Sequence, residues 1–261
     1  MTKDSIEVTK DGFLNGAVVI TQPKSGFRAG SDAVLLAAAL NVESGQSILD
    51  VGSGVGTAGF CALYRVAESQ LWAIELQENL VKLAQRNAEQ NNLQDRAHII
   101  HADIGVRMSF RGATGPYGKR LLEEGFDHVI TNPPFYGKGR AQKAKSMTKT
   151  ISHIESSVAL ADWLQFCLAR TKSKGTVTVI HRAERLADIL AALSPGCGSF
   201  RVIPLWPSQE VSAKRVIVQG IKGDKGPLEL TKGIVLHETD GTPTDAANRL
   251  LRDGEGLKDV L

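Results

Sequence analysis

The chain has 261 residues with 42% apolar and 23% charged residues and a formal charge of +3, which fits one large globular domain rather than a disordered or fibrous chain. A domain of this length buries about 70–75% of its unfolded surface, so it needs no metal or disulfide to hold it together. The small positive charge does not by itself mark a nucleic-acid binder, although a local cluster can. Cys61, Cys167 and Cys197 are odd in number, far apart and without a CxxC pair, which argues against a disulfide framework or a zinc site and for a reducing compartment. The N-terminus lacks the apolar core of a signal peptide, and no run reaches the ~18–20 apolar residues of a membrane span, so a cytoplasmic protein is expected.

In chain order, residues 1–30 alternate short apolar groups with glycines and polar residues, which predicts a small hairpin or arm. Residues 33–40 form a strong helix with Ser31 or Asp32 as its N-cap. From residue 47 the pattern becomes strand, glycine loop, helix, strand, helix, the signature of an α/β domain with a parallel sheet. Residues 47–51 are the first buried strand and residues 52–56 the loop, followed by a helix to about residue 66. Residues 71–74 form the second strand, ending at Glu75, and a helix over about 79–91 carries Leu80, Leu83, Ala84 and Ala88 at helical spacing. Residues 97–102 are the third strand, ending at Asp103. Residues 105–125 read as a loop with one short helix near 119–124.

The fourth strand, residues 126–131, ends in Asn132-Pro133-Pro134-Phe135. Proline fixes its own φ, removes a donor and pushes the preceding residue towards extended conformations, so Asn132 is held at the strand tip as the chain turns away. Residues 136–150 carry Lys138, Arg140, Lys143, Lys145 and Lys149 and no acidic residue. A helix over 160–171, a fifth strand over 176–180 and a helix over 184–193 follow. Residues 200–205 and 215–219 read as an antiparallel pair, and the chain closes with the run Gly233-Ile234-Val235-Leu236-His237, a turn at Asp240-Gly241 and a short helix over 244–251. The organisation expected is a hairpin or arm and first helix over 1–45 and an α/β core with a C-terminal extension over 46–261, in one structural domain.

Open α/β sheets bind ligands beyond the carboxyl ends of their strands. Asp50, Gly52, Gly54, Gly56, Glu75, Asp103 and Asn132 all fall at such ends, so four strands aim polar groups at one crevice. The loop also satisfies GxGxxG from Gly54 to Gly59, a weak match alone. Asp50, just before the glycines, would repel a pyrophosphate but suits a cationic amino-acid moiety. Glu75 is placed to accept hydrogen bonds from ribose hydroxyls, and Asp103 either caps a helix or receives an adenine amine. The six histidines form no HxxxH pair, and His101 and His181 read as structural. Trp72, Trp163 and Trp206 read as packing residues, Trp206 being the one to inspect for substrate contact.

Asp50 to Gly56, Glu75, Asp103 and Asn132-Pro133-Pro134-Phe135 together resemble the class I S-adenosylmethionine-dependent methyltransferases that act on planar nitrogens. Residues 22–36 and Val235-Leu236-His237-Glu238 with Asp240-Gly241 look like the flanks of one subfamily, the bacterial valine-tRNA (adenine-N(6))-methyltransferases among the small-domain methyltransferases. The resemblance implies a Rossmann-like, seven-stranded, mostly parallel sheet with an antiparallel last strand pair and helices on both faces. It also implies S-adenosylmethionine at Asp50, Gly52, Gly54, Gly56, Glu75, Asp103 and Asn132, and an acceptor amine held by Asn132 and Pro133 in a turn completed by Pro134 and Phe135. Phe135 would stack on the target base, and Arg140, Lys143, Lys145 and Lys149 would follow an RNA backbone, most simply that of tRNA; no membrane and no obligate protein partner are implied. Other acceptors that stay open are an rRNA guanine, a protein glutamine and a small-molecule hydroxyl, as does a non-catalytic RNA-binding module. One departure from the subfamily is that residues 149–155 lack the arginine expected soon after the loop.

Overall fold

The computed structural model describes residues 7–26, 28–134 and 158–260. Its centre is a set of strands apolar on both sides. Every residue of β3 (Ser47–Val51) is buried, as are all but the first of β4 (Gln70–Glu75) and all but the second of β6 (Phe126–Thr131). Burial on both faces requires cover on both, and the side chains alternate accordingly. Ile48 joins one core with helices α1 (Ser31–Ala38) and α2 (Thr57–Arg65), whereas Leu49 and Val51 join the other, with α4 (Leu160–Arg170) and α5 (Leu186–Leu193). Helix α3 (Glu78–Gln90) places Leu83 and Ala88 in the first core.

The remaining long strands are β5 (Ala97–His101), β7 (Thr171–Arg182), β8 (Cys197–Trp206) and β9 (Arg215–Lys222). Their order is β8-β9-β7-β6-β3-β4-β5, parallel from β7 to β5, with β9 antiparallel to both its neighbours. The expected mostly parallel sheet and antiparallel last pair are therefore present. Among the described residues the sheet has nine strands rather than seven, because the two-residue strands β10 (Glu229–Leu230) and β11 (Ile234–Val235) pair parallel to β8. Strands that short leave no periodicity in the sequence. The chain runs outward from β3 to β5 and crosses back to β6, so the order reverses between β3 and β6.

Ahead of the sheet, β1 (Val8–Phe13) and β2 (Val18–Pro23) form the expected hairpin. Its Leu14, Val18 and Ile20 enter the first core. The outer edge of β2 is capped by side chains: Asn91 Oδ1 accepts from the Val19 amide and Asn87 Oδ1 from the Thr21 amide, each at 2.8 Å.

Some local expectations change. Helix α1 is capped by Gly30 with no side-chain bond, because Asp32 accepts from Arg215 Nε at 3.0 Å instead. The 105–125 region contains two 3₁₀ turns, Arg107–Phe110 and Leu121–Glu123, rather than one helix. Strand β7 begins at Thr171, and the extra residues form a bulge between the Phe126↔Thr171 and His128↔Thr176 pairs. Residues Ala183–Arg185 are 3₁₀ and lead into α5. Helix α6 (Asp245–Leu251) is capped by Thr244 Oγ1, and a last short helix, α7 (Leu257–Val260), was not visible in the sequence pattern. No helix among the described residues is long and apolar enough to cross a membrane.

Candidate active site at the strand-order reversal

Asp50 is the penultimate residue of β3, Glu75 the last of β4, Asp103 the second after β5, and Asn132 the first after β6. These strands are neighbours in the order β5-β4-β3-β6, so the four residues share one edge of the sheet. The glycine loop is pinned from beneath by Ile74, whose carbonyl accepts from the amides of Gly52 at 2.9 Å and Ser53 at 3.0 Å. Gly52 and Gly54 have φ of +73° and +58°, a region that an L side chain enters at about 1–2 kcal/mol. A Cβ on Gly52 would lie 2.6 Å from the Trp163 ring, whereas one on Gly54 would meet nothing within 4 Å. Gly54 therefore borders open space, and Gly56 is the N-cap of α2.

Glu75 is buried and receives two backbone amides, Gly54 N–H on Oε2 at 2.9 Å and Gln77 N–H on Oε1 at 2.8 Å. It thus ties the loop after β3 to the loop after β4. Asp50 is buried as well; its carboxyl is pushed up to about 7 by burial first and by the Glu75 charge second, against a backbone hydrogen bond from Gly59. Asp103 Oδ1 accepts from Gly105 N–H at 2.8 Å, so one of its oxygens folds its own loop.

In the turn after β6, Asn132 is half-buried, Pro133 buried and Pro134 exposed. Beneath Asn132, the buried Thr131 hydroxyl donates to the Val51 carbonyl and accepts from Trp163 Nε1, both at 2.8 Å. Among the described residues six buried side-chain atoms have no hydrogen-bond partner; Arg170 Nε and Arg201 Nε lie elsewhere, and the other four, Asp50 Oδ2, Ser53 Oγ, Thr57 Oγ1 and Asn132 Oδ1, belong to β3, the glycine loop, the start of α2 and the turn after β6. Unpartnered buried polar atoms are destabilising by about 1–3 kcal/mol each, and a group of them around one crevice is the mark of a polar ligand site. Phe135, Arg140, Lys143, Lys145 and Lys149 lie outside the described residues.

The family model of the methyltransferase small domain matches residues 25–159, a span that contains all four strand ends. The chain belongs to the methyltransferase small-domain family. It is similar over nearly its whole length to the tRNA1(Val) (adenine(37)-N6)-methyltransferase of Vibrio campbellii, at 25% identity over 92% of this chain and 94% of that one. The protein of the same name from Actinobacillus pleuropneumoniae serotype 5b is 22% identical over 92% and 95% of the two chains. Among solved structures, a predicted O-methyltransferase from Agrobacterium tumefaciens superposes with a TM-score of 0.69 at 25% identity, covering 86% of this chain and 97% of that one. A SAM-dependent O-methyltransferase from Thermotoga maritima, with a TM-score of 0.52 at 17% identity, shares the fold.

The protein is thus an S-adenosylmethionine-dependent methyltransferase, and the residues present suit that cofactor. Asp50 Oδ2 and the Ser53 and Thr57 hydroxyls are buried polar atoms needing partners, and Gly54 leaves room for close approach to the backbone.

Other residues of the methyltransferase singled out in the sequence are structural. His181 is buried and held down to about 4 by burial, with Arg185, Arg215 and Arg182 contributing in that order, and its Nδ1 accepts from the Arg182 amide. His101 Nε2 bonds the Leu76 carbonyl at 2.8 Å. Trp206 stands on β8, at the far side of β9 and β7 from β6, and donates to the Lys232 carbonyl. Cys61, Cys167 and Cys197 are all free and buried.

Two further residues shape the site. Trp163 links the two site loops. Asn87, fully buried, donates to the carbonyls of Thr21 at 3.0 Å and Val55 at 3.1 Å, joining the hairpin to the glycine loop. Its signal is present in the sequence, since it is an asparagine at i+7 from Leu80 on the apolar stripe of α3.

Proposed function

We propose that this methyltransferase modifies the exocyclic amine of an adenine in tRNA. The observation that carries the reading is Asn132 Oδ1, a buried acceptor without a partner at the tip of β6, beside the loop suited to the methyl donor. An amine on a purine has its lone pair drawn into the ring and must become pyramidal to react. It brings two N–H groups, and Asn132 Oδ1 together with the Pro133 carbonyl would accept both. Those bonds strengthen as the nitrogen becomes positive, so they favour the transition state over the bound substrate. S-adenosylmethionine supplies a methyl group activated on a sulfonium. The task left to the protein is placement and polarisation of the acceptor. The acceptor nitrogen gains its N–C bond as the sulfonium S–CH3 bond breaks, leaving a neutral thioether, and the surplus proton then passes from the nitrogen to water.

In this reading Asp50 would hold the ammonium of the cofactor, Glu75 its ribose hydroxyls and Asp103 its adenine amine. Gly52, Gly54 and Gly56 let the backbone come close. Phe135 stacks on the target base, a contact worth about 1–3 kcal/mol. Arg140, Lys143, Lys145 and Lys149 follow the RNA backbone and make binding strongly salt-dependent. Support for tRNA as acceptor comes from the Vibrio and Actinobacillus relatives, whose names specify it and which align along more than nine-tenths of both chains. A hydroxyl acceptor, named for the Agrobacterium structure, has a single O–H donor and so leaves one of the paired acceptors unused.

The test is radiolabelled methyl transfer to total tRNA, rRNA and a protein extract, by the wild type and by Asn132→Ala. Label in tRNA that drops by at least about a hundredfold in Asn132→Ala supports the reading. Label in protein alone, or undiminished transfer by Asn132→Ala, refutes it.

A further inference from the structure

The cofactor loop and the acceptor turn lie on neighbouring strands whose last paired residues are Val51 and Thr131. Past that pair the sheet no longer sets their separation, yet methyl transfer needs the acceptor nitrogen in line with the donor. Among the described residues one side-chain chain spans the two. Trp163 Nε1 donates to Thr131 Oγ1 and that hydroxyl donates to the Val51 carbonyl, each at 2.8 Å, and Thr131 is fully buried. The six-membered edge of the same indole packs on Gly52, where an added Cβ would lie 2.6 and 2.9 Å from two of its carbons. A single side chain therefore meets the last residue of β6 through its N–H and the first residue of the glycine loop through its ring.

Trp163 stands in the first turn of α4, and one turn on, the buried Cys167 thiol is raised by burial and then by the nearby Asp50 charge. Two residues one turn apart on α4, Trp163 and Cys167, thus lie near the end of β3. A buried indole N–H needs an acceptor wherever it lies; what sets Trp163 apart is that its acceptor is on the strand bearing Asn132 while its ring lies on the first glycine of the cofactor loop.

We propose that Trp163, acting through Thr131, is a positioning residue for methyl transfer: it fixes the spacing between the glycine loop and Asn132. The inference rests on the amine-acceptor role of Asn132 given above. Neither side chain touches the reacting atoms, so the pair governs turnover rather than the affinity of either ligand.

Trp163→Phe keeps a ring on Gly52 and removes the donor; Thr131→Val keeps the β-branched strand residue and removes the hydroxyl; Thr131→Ser restores it. Each is compared with the wild type for kcat and KM in RNA methylation, for S-adenosylhomocysteine affinity by calorimetry, and for tryptophan emission. The expected result is a fall in kcat of about tenfold or more in Trp163→Phe and Thr131→Val, with KM and the S-adenosylhomocysteine Kd changed no more than about twofold and kcat restored in Thr131→Ser. The double variant loses no more than either single one, as expected of residues acting as a unit. S-adenosylhomocysteine alters the emission of the wild type, and Trp163→Phe, which retains Trp72 and Trp206, loses that response.

The inference is overturned if S-adenosylhomocysteine binds the wild type without altering Trp163 emission, if both variants keep wild-type kcat, or if their loss lies wholly in Kd. A wild type that binds no S-adenosylhomocysteine sinks the cofactor-site reading itself, a separate failure.

Discussion

Replacing Asp50 by asparagine is expected to move stability and ligand affinity in opposite directions. In the folded protein the Asp50 carboxyl is raised from 3.8 to about 7, by burial and by Glu75. Each unit of such a shift is about 1.4 kcal/mol, so charging Asp50 in the fold opposes stability by about 4 kcal/mol at most. The sign follows from proton counting: between about pH 4 and pH 7 the unfolded chain has released this proton and the folded one retains it. This residue's contribution to stability therefore declines as pH rises through that window and stays low above it. Asp50→Asn removes the charge but leaves a buried amide that needs its own partners, offsetting about 1–3 kcal/mol. A net gain of about 2 kcal/mol at pH 8 raises the Tm of a chain of this size by roughly 4–8 °C, whereas at pH 4, where Asp50 is already neutral, the amide leaves a net loss of about 1–3 kcal/mol. If Asp50 faces the cofactor ammonium, S-adenosylhomocysteine binds the wild type up to about tenfold more tightly for each unit by which pH rises towards 7, and the affinity levels off above it. Asp50→Asn loses both this slope and the affinity. Thermal unfolding without ligand and calorimetry from pH 5 to 8 measure the two effects. An Asp50→Asn protein that melts below the wild type at pH 8, or a wild-type affinity flat with pH, refutes the reasoning.

Asn87→Ala deprives Thr21 N–H, Thr21 C=O and Val55 C=O of their partner. It should cost about 3 kcal/mol in urea unfolding and weaken S-adenosylhomocysteine binding through the loosened glycine loop; unchanged affinity would show that the hairpin and loop are not coupled. Gly52→Ala forces a Cβ to within 2.6 Å of the Trp163 ring at a φ of +73°. Both cofactor affinity and kcat should fall there, by about tenfold or more, and wild-type kinetics in that variant would mean the indole moves aside freely.

The parallel strands and the site at their ends were legible because their signals are local. β3, β4 and β6 are short apolar runs, each ending in a residue that cannot continue them comfortably: Asp50-Val51 before Gly52, Glu75, and Asn132 before Pro133. A strand carries its alternation within five or six residues, and a glycine or proline marks where it stops. What escaped notice depends on partners distant in sequence. Ser31 and Asp32 both suit an N-cap, but Asp32 is drawn to Arg215, a residue brought near only by the fold. Trp163 reads as an ordinary apolar position on α4 until Thr131 is placed against it. β10 and β11 exist only because β8 offers a free edge. The bulge at the start of β7 reflects a register break against β6 that no periodicity in residues 171–175 announces.

The central claim is tested most directly by the identity of the methylated nucleoside. Unmodified tRNA is treated with the protein and labelled S-adenosylmethionine, digested to nucleosides and separated by chromatography with mass detection. The account predicts label in N6-methyladenosine, absent when Asn132→Ala replaces the wild type. Label on a ribose hydroxyl or a ring carbon, or none in tRNA while protein is labelled, would contradict it.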